Sequence, residues 1–105
     1  MHTQVERRSQ RRFRLTLPLV ARHPERGSIR AYTRDMSSRG VCFSFPAPIA
    51  TGAKLKFVLT LPPEVTLSTP IRIQCTGRVV RTEERENSAE ITVAAIIDHY
   101  DFLAN

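Results

Sequence analysis

Hydrophobic and polar side chains alternate along six short stretches of this chain, a period-two pattern that predicts half-buried β-strands. From Leu55 to Leu61, for example, every second side chain is leucine or phenylalanine, and those between are lysine, valine or threonine. The six predicted strands are residues 15–22, 28–34, 41–45, 53–61, 71–81 and 91–97. Without a long helical pattern between them, the strands favour an all-β, six-stranded antiparallel barrel, although the sequence leaves the strand order open.

The two ends of the chain lack this alternation. Residues 1–12 are polar and basic, which predicts a flexible N-terminal arm preceding a single domain of residues 13–105. Pro18 requires an edge position or a bulge in the first strand, because it cannot donate a ladder hydrogen bond. Residues 98–105 predict a short C-terminal helical segment, with Asp98 as its N-cap and Phe102 and Leu103 packed onto the barrel mouth.

The composition fits one ordinary globular domain with one core. The chain has 105 residues, of which 41% are hydrophobic and 25% charged. No stretch approaches the roughly 20 apolar residues that cross a bilayer, and the first residues lack a signal-peptide core. These features predict a soluble, cytoplasmic protein without membrane insertion. Cys42 and Cys75 stand outside any metal-binding spacing and are expected to be reduced and partly buried.

Positive charge is concentrated in the N-terminal part. The net charge is +6, yet residues 1–40 carry +7 and residues 41–105 carry −1. Arginine outnumbers lysine by 14 to 2. The planar guanidinium group forms bidentate contacts with phosphate groups or with a guanine edge, so this end of the chain is suited to an anionic partner.

Two short motifs carry the candidate chemistry. Residues 7–12 read R-R-x-x-x-R, and residues 35–40 read D-x-S-x-x-G. Taken separately, the first is a solvated basic tail and the second a side-chain-capped turn that needs no ligand. Together they suit a ligand with phosphates and guanine edges. Arginine pairs with guanine O6 and N7 or with phosphate, a carboxylate accepts from N1 and N2, and a hydroxyl donates or accepts.

In this order and spacing the motifs resemble those of the PilZ domain, a bacterial receptor module for cyclic di-GMP. Residues 12–19 and the G-x-V-V-R segment from Gly77 to Arg81 resemble two of its strands, so that the resemblance spans residues 5–99. It implies a six-stranded antiparallel barrel, usually closed by a C-terminal helix. The ligand-binding residues that it implies are Arg7, Arg8, Arg12, Asp35, Ser37 and Gly40.

Within this set, Arg8 and Arg12 are the motif arginines, and the turn residues form the second contact set. Gly40 would permit a positive φ or a close approach of the ligand to the backbone. Arg7 would add a guanidinium group, which in the family goes with binding a stacked pair of ligand molecules. The roles of Arg11, Arg14 and Arg39 stay open, as do the ligand stoichiometry and the oligomeric state.

The function that this resemblance implies is a cyclic di-GMP receptor or adaptor in bacterial second-messenger signalling. Ligand binding would order the arm over the barrel, and the signal would pass to an effector protein that the sequence does not identify. Two alternatives remain: a PilZ-like interaction scaffold without ligand, and a small basic barrel that binds nucleic acid. The latter usually offers several stacking aromatic rings, whereas only Phe13, Tyr32 and Tyr100 are expected to be exposed here.

Catalysis finds little support in the sequence. His2, His23 and His99 are scattered without metal-binding spacing, and the glycines are isolated, with no phosphate loop or nucleophile elbow. His99 follows Asp98 directly, but neighbouring strand residues face opposite sides, so a surface histidine is expected. The sequence therefore predicts no enzyme, no catalytic residue, no metal and no cofactor.

Overall fold

Six antiparallel strands form a closed barrel in the computed structural model, which describes residues 13–103. The elements are β1 (Pro18–His23), β2 (Gly27–Met36), β3 (Gly40–Phe45), β4 (Lys54–Leu61), α1 (Pro63–Thr66), β5 (Ile71–Glu84) and β6 (Ile91–Leu103). Their order around the barrel is β1-β2-β3-β6-β5-β4, and β1 pairs with β4 to close it. The predicted six-stranded antiparallel barrel is confirmed. The division into an arm and a domain stays a prediction, because residues 1–12 lie outside the described part.

The alternating apolar side chains fill the barrel interior. On β4, Leu55, Phe57 and Leu59 are buried, whereas Lys54 and Lys56 face solvent. The buried hydrophobic core consists of Leu17, Leu19, Ala21, Ala31, Val41, Phe43, Phe45, Ala47, Leu55, Phe57, Leu59, Cys75, Val79, Val93 and Ala95. Neither cysteine forms a disulfide, Cys42 being half-buried and Cys75 buried. Burial of apolar area on this scale is the main source of stability of a small barrel.

The segment that leads into β1 is tied to β2. Pro18 is the first residue of β1, a position where its missing N–H costs no ladder bond. Just before it, the Leu17 N–H donates to Thr33 Oγ1 at 2.8 Å, and the Thr33 N–H donates to the Leu17 carbonyl at 3.0 Å. Further upstream, Phe13 and Met36 exchange backbone hydrogen bonds of 2.8 and 2.9 Å. The described chain therefore starts beside the end of β2.

The predicted C-terminal helical segment is wrong, because β6 continues through Leu103. A β-bulge explains the error. Thr76 pairs with His99 and Gly77 pairs with Ile97, so Asp98 is an extra residue in β6. Ile97 and Tyr100 consequently share a face at a spacing of three, which imitates a helical period.

Neither of the expected helix features is present. The Asp98 carboxylate caps no helix; it forms a bidentate salt bridge with Arg78, at 3.1 and 3.2 Å. Of the two side chains expected to pack onto the barrel mouth, Phe102 is 66% exposed and Leu103 is half-buried.

A single turn of helix, α1, interrupts the β4–β5 connection, where the Pro62-Pro63 pair ends the strand. In the part of the chain that the structure describes, no helix has the length and hydrophobicity required to cross a lipid bilayer.

Candidate functional site

A β-bulge in β2 turns Asp35 toward the outer surface of the barrel. Thr33 pairs with Phe43, and both side chains are buried in the interior. Asp35 pairs with Cys42, so Arg34 is the extra residue. Because directly opposed residues share a face, Asp35 lies with Cys42 on the outer side, although strict alternation after Thr33 would have pointed it inward. The bulge thus keeps the half-buried carboxylate at the surface.

The rest of the motif forms the tight β2–β3 turn. The Ser37 N–H donates to the Gly40 carbonyl at 2.8 Å, and the Arg39 N–H donates to Ser37 Oγ at 3.3 Å. The Ser37 side chain is 7% exposed, and its hydroxyl retains the capacity to donate. Gly40 opens β3, while positive φ values in residues 13–103 occur at Gly27 and Gly52 among the glycines. Of the two roles expected for Gly40, close backbone approach is the one compatible with this backbone.

The start of the described chain reaches this motif. Met36, which stands between Asp35 and Ser37, is the bridge partner of Phe13. The structure therefore brings Asp35, Ser37 and Gly40 together around one turn and pairs Phe13 with Met36, the residue between the first two. The predicted arginines Arg7, Arg8 and Arg12, as well as Arg11, lie outside the described residues; Arg14 is exposed.

Beside the turn lies a depression of about 290 Å³ on the outer surface. Its lining is Ser37, Arg39, Gly40, Val41, Val80, Ala94, Ala95 and Ile96. Val80 is 44% exposed and Ile96 39% exposed, so outward-facing apolar side chains form part of its floor. Arg39 lies exposed at the rim, and its carbonyl accepts a hydrogen bond from the Ile97 N–H at 2.7 Å. A flat aromatic base and a polar or anionic group fit this combination of surfaces.

Sequence reasoning missed the apolar floor. The two motifs include neither Val80 nor Ile96, and they leave the role of Arg39 open. A signal was present in the doublets Val79-Val80 and Ile96-Ile97, where one residue of each pair must occupy the outward phase of its strand. Val80 is moreover the extra residue of a bulge, because Val79 pairs with Ala95 and Arg81 with Ala94.

The histidines of the described part have structural or surface roles. His23 Nδ1 accepts the N–H groups of Glu25 and Arg26 at 3.1 and 3.2 Å, and Nε2 lies 3.3 Å from the Pro48 carbonyl. His99 Nε2 lies 3.1 Å from Asp101 Oδ2 on an exposed surface. Within residues 13–103, no three His, Cys, Asp or Glu side chains are grouped as metal ligands.

Matching the chain against protein-family models identifies a PilZ domain over residues 6–99. The range contains both motifs and covers most of the chain, so the chain belongs to the PilZ domain family, as the motifs predicted. PilZ domains are receptor and adaptor domains, and the family includes receptors for cyclic di-GMP.

A solved structure with a similar fold is that of the Bacillus subtilis inhibitor of motility, MotI/DgrA. It superposes with a TM-score of 0.70 over 84% of this chain, at 19% sequence identity. The match covers 41% of the MotI/DgrA chain, less than half its length. At this level of identity the likeness establishes the fold alone. A comparison with curated protein sequences gives no significant match.

Proposed function

We propose that this chain is a bacterial cyclic di-GMP receptor in which the N-terminal arginines hold the ligand against the outer surface beside the β2–β3 turn. The observation that carries the proposal is the Phe13–Met36 bridge. Phe13 directly follows the arginine motif, and the bridge joins it to Met36 within the D-x-S-x-x-G motif. Phe13 and Met36 are more than twenty residues apart in sequence.

The lengths of chain involved support this arrangement. Arg12 precedes Phe13 directly, and Arg8 stands five positions before it. Five residues span at most about 18 Å, so Arg8 and Arg12 both stay within reach of the turn. Both guanidinium groups can therefore contact one ligand molecule bound there.

The chemistry of the surface matches the parts of the ligand. In the proposed complex, the arginines bind phosphate oxygens or the O6 and N7 edge of guanine, and Asp35 accepts from N1 and N2. The Ser37 hydroxyl adds a polar contact, and a guanine ring lies over the apolar floor near Val80 and Ile96. Where two stacked ligand molecules bind, Arg7 supplies the extra guanidinium group; the stoichiometry stays open.

Ordering the arm is the energetic cost of this mode of binding. Fixing a residue costs roughly 1–2 kcal/mol, and charge-assisted hydrogen bonds to the phosphates and guanine edges offset it. The ordered arm changes the surface that an effector protein meets, which makes the chain a non-catalytic adaptor that acts through a partner.

Isothermal titration calorimetry with cyclic di-GMP tests the site. Arg12→Ala should weaken binding by about 5- to 150-fold, the effect of losing a bidentate contact worth about 1–3 kcal/mol. Arg12→Lys keeps the charge but loses the planar fork, so it should also bind more weakly than the parent protein. The stoichiometry distinguishes one ligand molecule from a stacked pair.

The matched control is Arg26→Ala, which removes an exposed arginine from the β1–β2 turn, at the other end of β2. It should leave the affinity within a factor of about two, given that surface substitutions away from a site have small effects. Equal affinities for the parent protein and Arg12→Ala would remove Arg12 from the site.

Competition experiments separate the proposal from its alternatives. An interaction scaffold would bind no cyclic di-GMP, and a nucleic-acid-binding barrel would release it to single-stranded RNA. A receptor should retain cyclic di-GMP in the presence of equimolar single-stranded RNA or GTP.

A further inference from the structure

The C-terminal part of β6 is an edge strand. Up to Ile96, β6 pairs with β3 on one side and β5 on the other. The Ile97 N–H then donates to the Arg39 carbonyl, after which only β5 continues, as far as the pair Arg72–Leu103. Within residues 13–103, no strand pairs with the other edge of residues 98–103. An unpaired edge of this kind is a template for another extended segment.

The two faces of this edge differ in chemistry. Tyr100 and Phe102 line an apolar depression of about 260 Å³ with Ile73 and Cys75 at the end of the barrel. Their rings meet edge to face, with centroids 6.1 Å apart and an interplanar angle of 87°, and Tyr100 is 53% exposed. The opposite face carries His99 and Asp101, whose side chains lie 3.1 Å apart. A partner strand therefore has to match an aromatic face and a face with one basic and one acidic group.

We propose that this edge pairs with the same edge of a second copy of the chain, antiparallel, about a two-fold axis at Tyr100. In that register, His99 of each chain lies opposite the partner's Asp101, so each carboxylate faces a second imidazole in addition to that of its own His99. The two Tyr100 side chains meet at the axis, and each lies diagonal to the partner's Phe102, within reach of an aromatic ring.

Neighbouring registers are less favourable. Centring the pair on Asp101 puts two carboxylates directly opposite each other, which destabilises a cross-strand pair. Centring it on His99 puts the two imidazoles opposite each other and leaves Asp101 facing Ile97. Charge complementarity thus favours the register centred on Tyr100. The acidic Asp101 would repel an anionic nucleic acid or lipid surface, which favours a second copy of this strand as the partner.

The pairing adds one ladder and one small aromatic patch, so it belongs among the weak interfaces. The expected behaviour is a concentration-dependent equilibrium between monomer and dimer. Analytical ultracentrifugation of the 105-residue chain under reducing conditions, from about 5 µM to about 500 µM, covers the range of such interfaces. No cyclic di-GMP is added, so the outcome is independent of the proposed receptor function.

Substitutions at position 99 test the charge pattern. His99→Asp places two carboxylates against each other twice and should weaken the dimer by at least about tenfold. His99→Lys should strengthen it, because a full positive charge then faces the partner's Asp101. The matched control Asn87→Asp adds the same negative charge at the exposed far end of the β5–β6 hairpin and should leave the dimer unchanged.

Disulfide trapping tests the register. In the proposed dimer two cysteines at position 100 lie directly opposite each other, within the Cα separation of a disulfide, so Tyr100→Cys should form a covalent dimer on mild oxidation. Phe102→Cys should not, because position 102 faces position 98 of the partner. The parent protein is the control, because it shows any covalent dimer that forms through Cys42 or Cys75 alone.

Three results would overturn the proposal. The first is a chain that sediments as a monomer at every concentration, and the second is a dimer that His99→Asp leaves intact or that Asn87→Asp weakens equally. The third is trapping of Phe102→Cys as readily as Tyr100→Cys.

Discussion

At the scale of single residues, Asp35 and Ser37 owe their positions to backbone irregularities. The extra residue Arg34 turns the Asp35 side chain outward, and the Ser37 hydroxyl accepts the Arg39 N–H within the turn. Residue type alone predicts that both groups can contact a guanine ligand, but the direction in which they point depends on one inserted residue. Substituting the side chains therefore tests the chemistry and leaves the backbone intact.

Asp35→Asn tests the proposed guanine contact. The amide is nearly isosteric but its NH₂ group would oppose the N1 and N2 donors, so we expect cyclic di-GMP affinity to fall by about 5- to 150-fold. Calorimetry measures the affinity, and a thermal melt in the absence of ligand verifies that the fold persists. Unchanged affinity in a folded Asp35→Asn protein would exclude this contact.

The buried Cys75 gives the barrel a pH dependence. Desolvation raises the pKa of its thiol from 9.0 to about 11, because burial disfavours the thiolate. The folded-state pKa is the higher one, so the contribution to stability is complete below pH 9 and is lost as the pH rises toward 11.

Comparison with Cys75→Ala isolates this effect from other groups that titrate in the same range. Between neutral pH and pH 11, the parent protein should lose about 2 kcal/mol more unfolding free energy than Cys75→Ala does. Urea denaturation at a series of pH values gives both curves. Parallel curves would mean that the thiol is not desolvated in the folded protein.

At the scale of the strands, alternation predicted where each strand lies but not where three of them end. The second, fifth and sixth strands were predicted to end at residues 34, 81 and 97, whereas β2, β5 and β6 continue to Met36, Glu84 and Leu103. Each predicted end lies within one residue of a bulge, at Arg34, Val80 or Asp98. An extra residue reverses the phase of a period-two pattern, so a strand that continues beyond it reads as a turn or a helix.

The same bulges decide which parts of the candidate site were predictable. The turn that brings Asp35, Ser37 and Gly40 together follows from local sequence. The depression beside it depends on Val80, which bulges on β5, and on β6 next to it, and no local pattern specifies that register. The motif residues could therefore be predicted from the sequence, whereas the doublets Val79-Val80 and Ile96-Ile97 indicate outward apolar side chains without placing them beside the motif.

Gly77 allows β5 and β6 to approach each other at the bulge. A Cβ atom on Gly77 would lie 2.0 Å from the Ile96 carbonyl oxygen, a backbone atom that cannot move aside alone. Gly77→Ala should therefore destabilise the fold by about 1–3 kcal/mol, the usual cost of overpacking. Urea denaturation measures the loss.

Gln74→Ala is the control for this prediction, because Gln74 lies exposed on the same strand. It should change stability by no more than about 0.5 kcal/mol. A Gly77→Ala protein as stable as this control would mean that the two strands separate at the bulge without cost.

At the scale of the whole molecule, one closed barrel carries both the proposed ligand-binding surface and the proposed dimer edge. The Phe13–Met36 bridge places the start of the described chain beside the β2–β3 turn, and the Arg39 carbonyl accepts a hydrogen bond from the Ile97 N–H, where the β6 edge begins. The proposed ligand-binding surface and the edge strand therefore share one end of the barrel. The charge distribution supports the proposed binding of an anionic ligand, since the positive excess lies in residues 1–40.

Limited proteolysis tests the arm in the intact chain. Trypsin cleaves after arginine, and cleavage within residues 7–12 should slow as cyclic di-GMP saturates the protein, because ligand contacts would protect the arm. GTP at the same concentration is the control, and cleavage sites are read by mass spectrometry. An unchanged rate at saturation would show that binding leaves the arm accessible.

Anchoring Phe13 to Met36 has a consequence for affinity. A short tether confines its end group to a small volume, which corresponds to an effective concentration in the millimolar range. The arginines of residues 7–12 would thus be held near the turn at this concentration, whatever the concentration of the protein. A bound nucleotide would not depend on a cation from solution. A barrel lacking residues 1–12, supplied with the same twelve residues as a free peptide, should regain tight binding only near millimolar peptide.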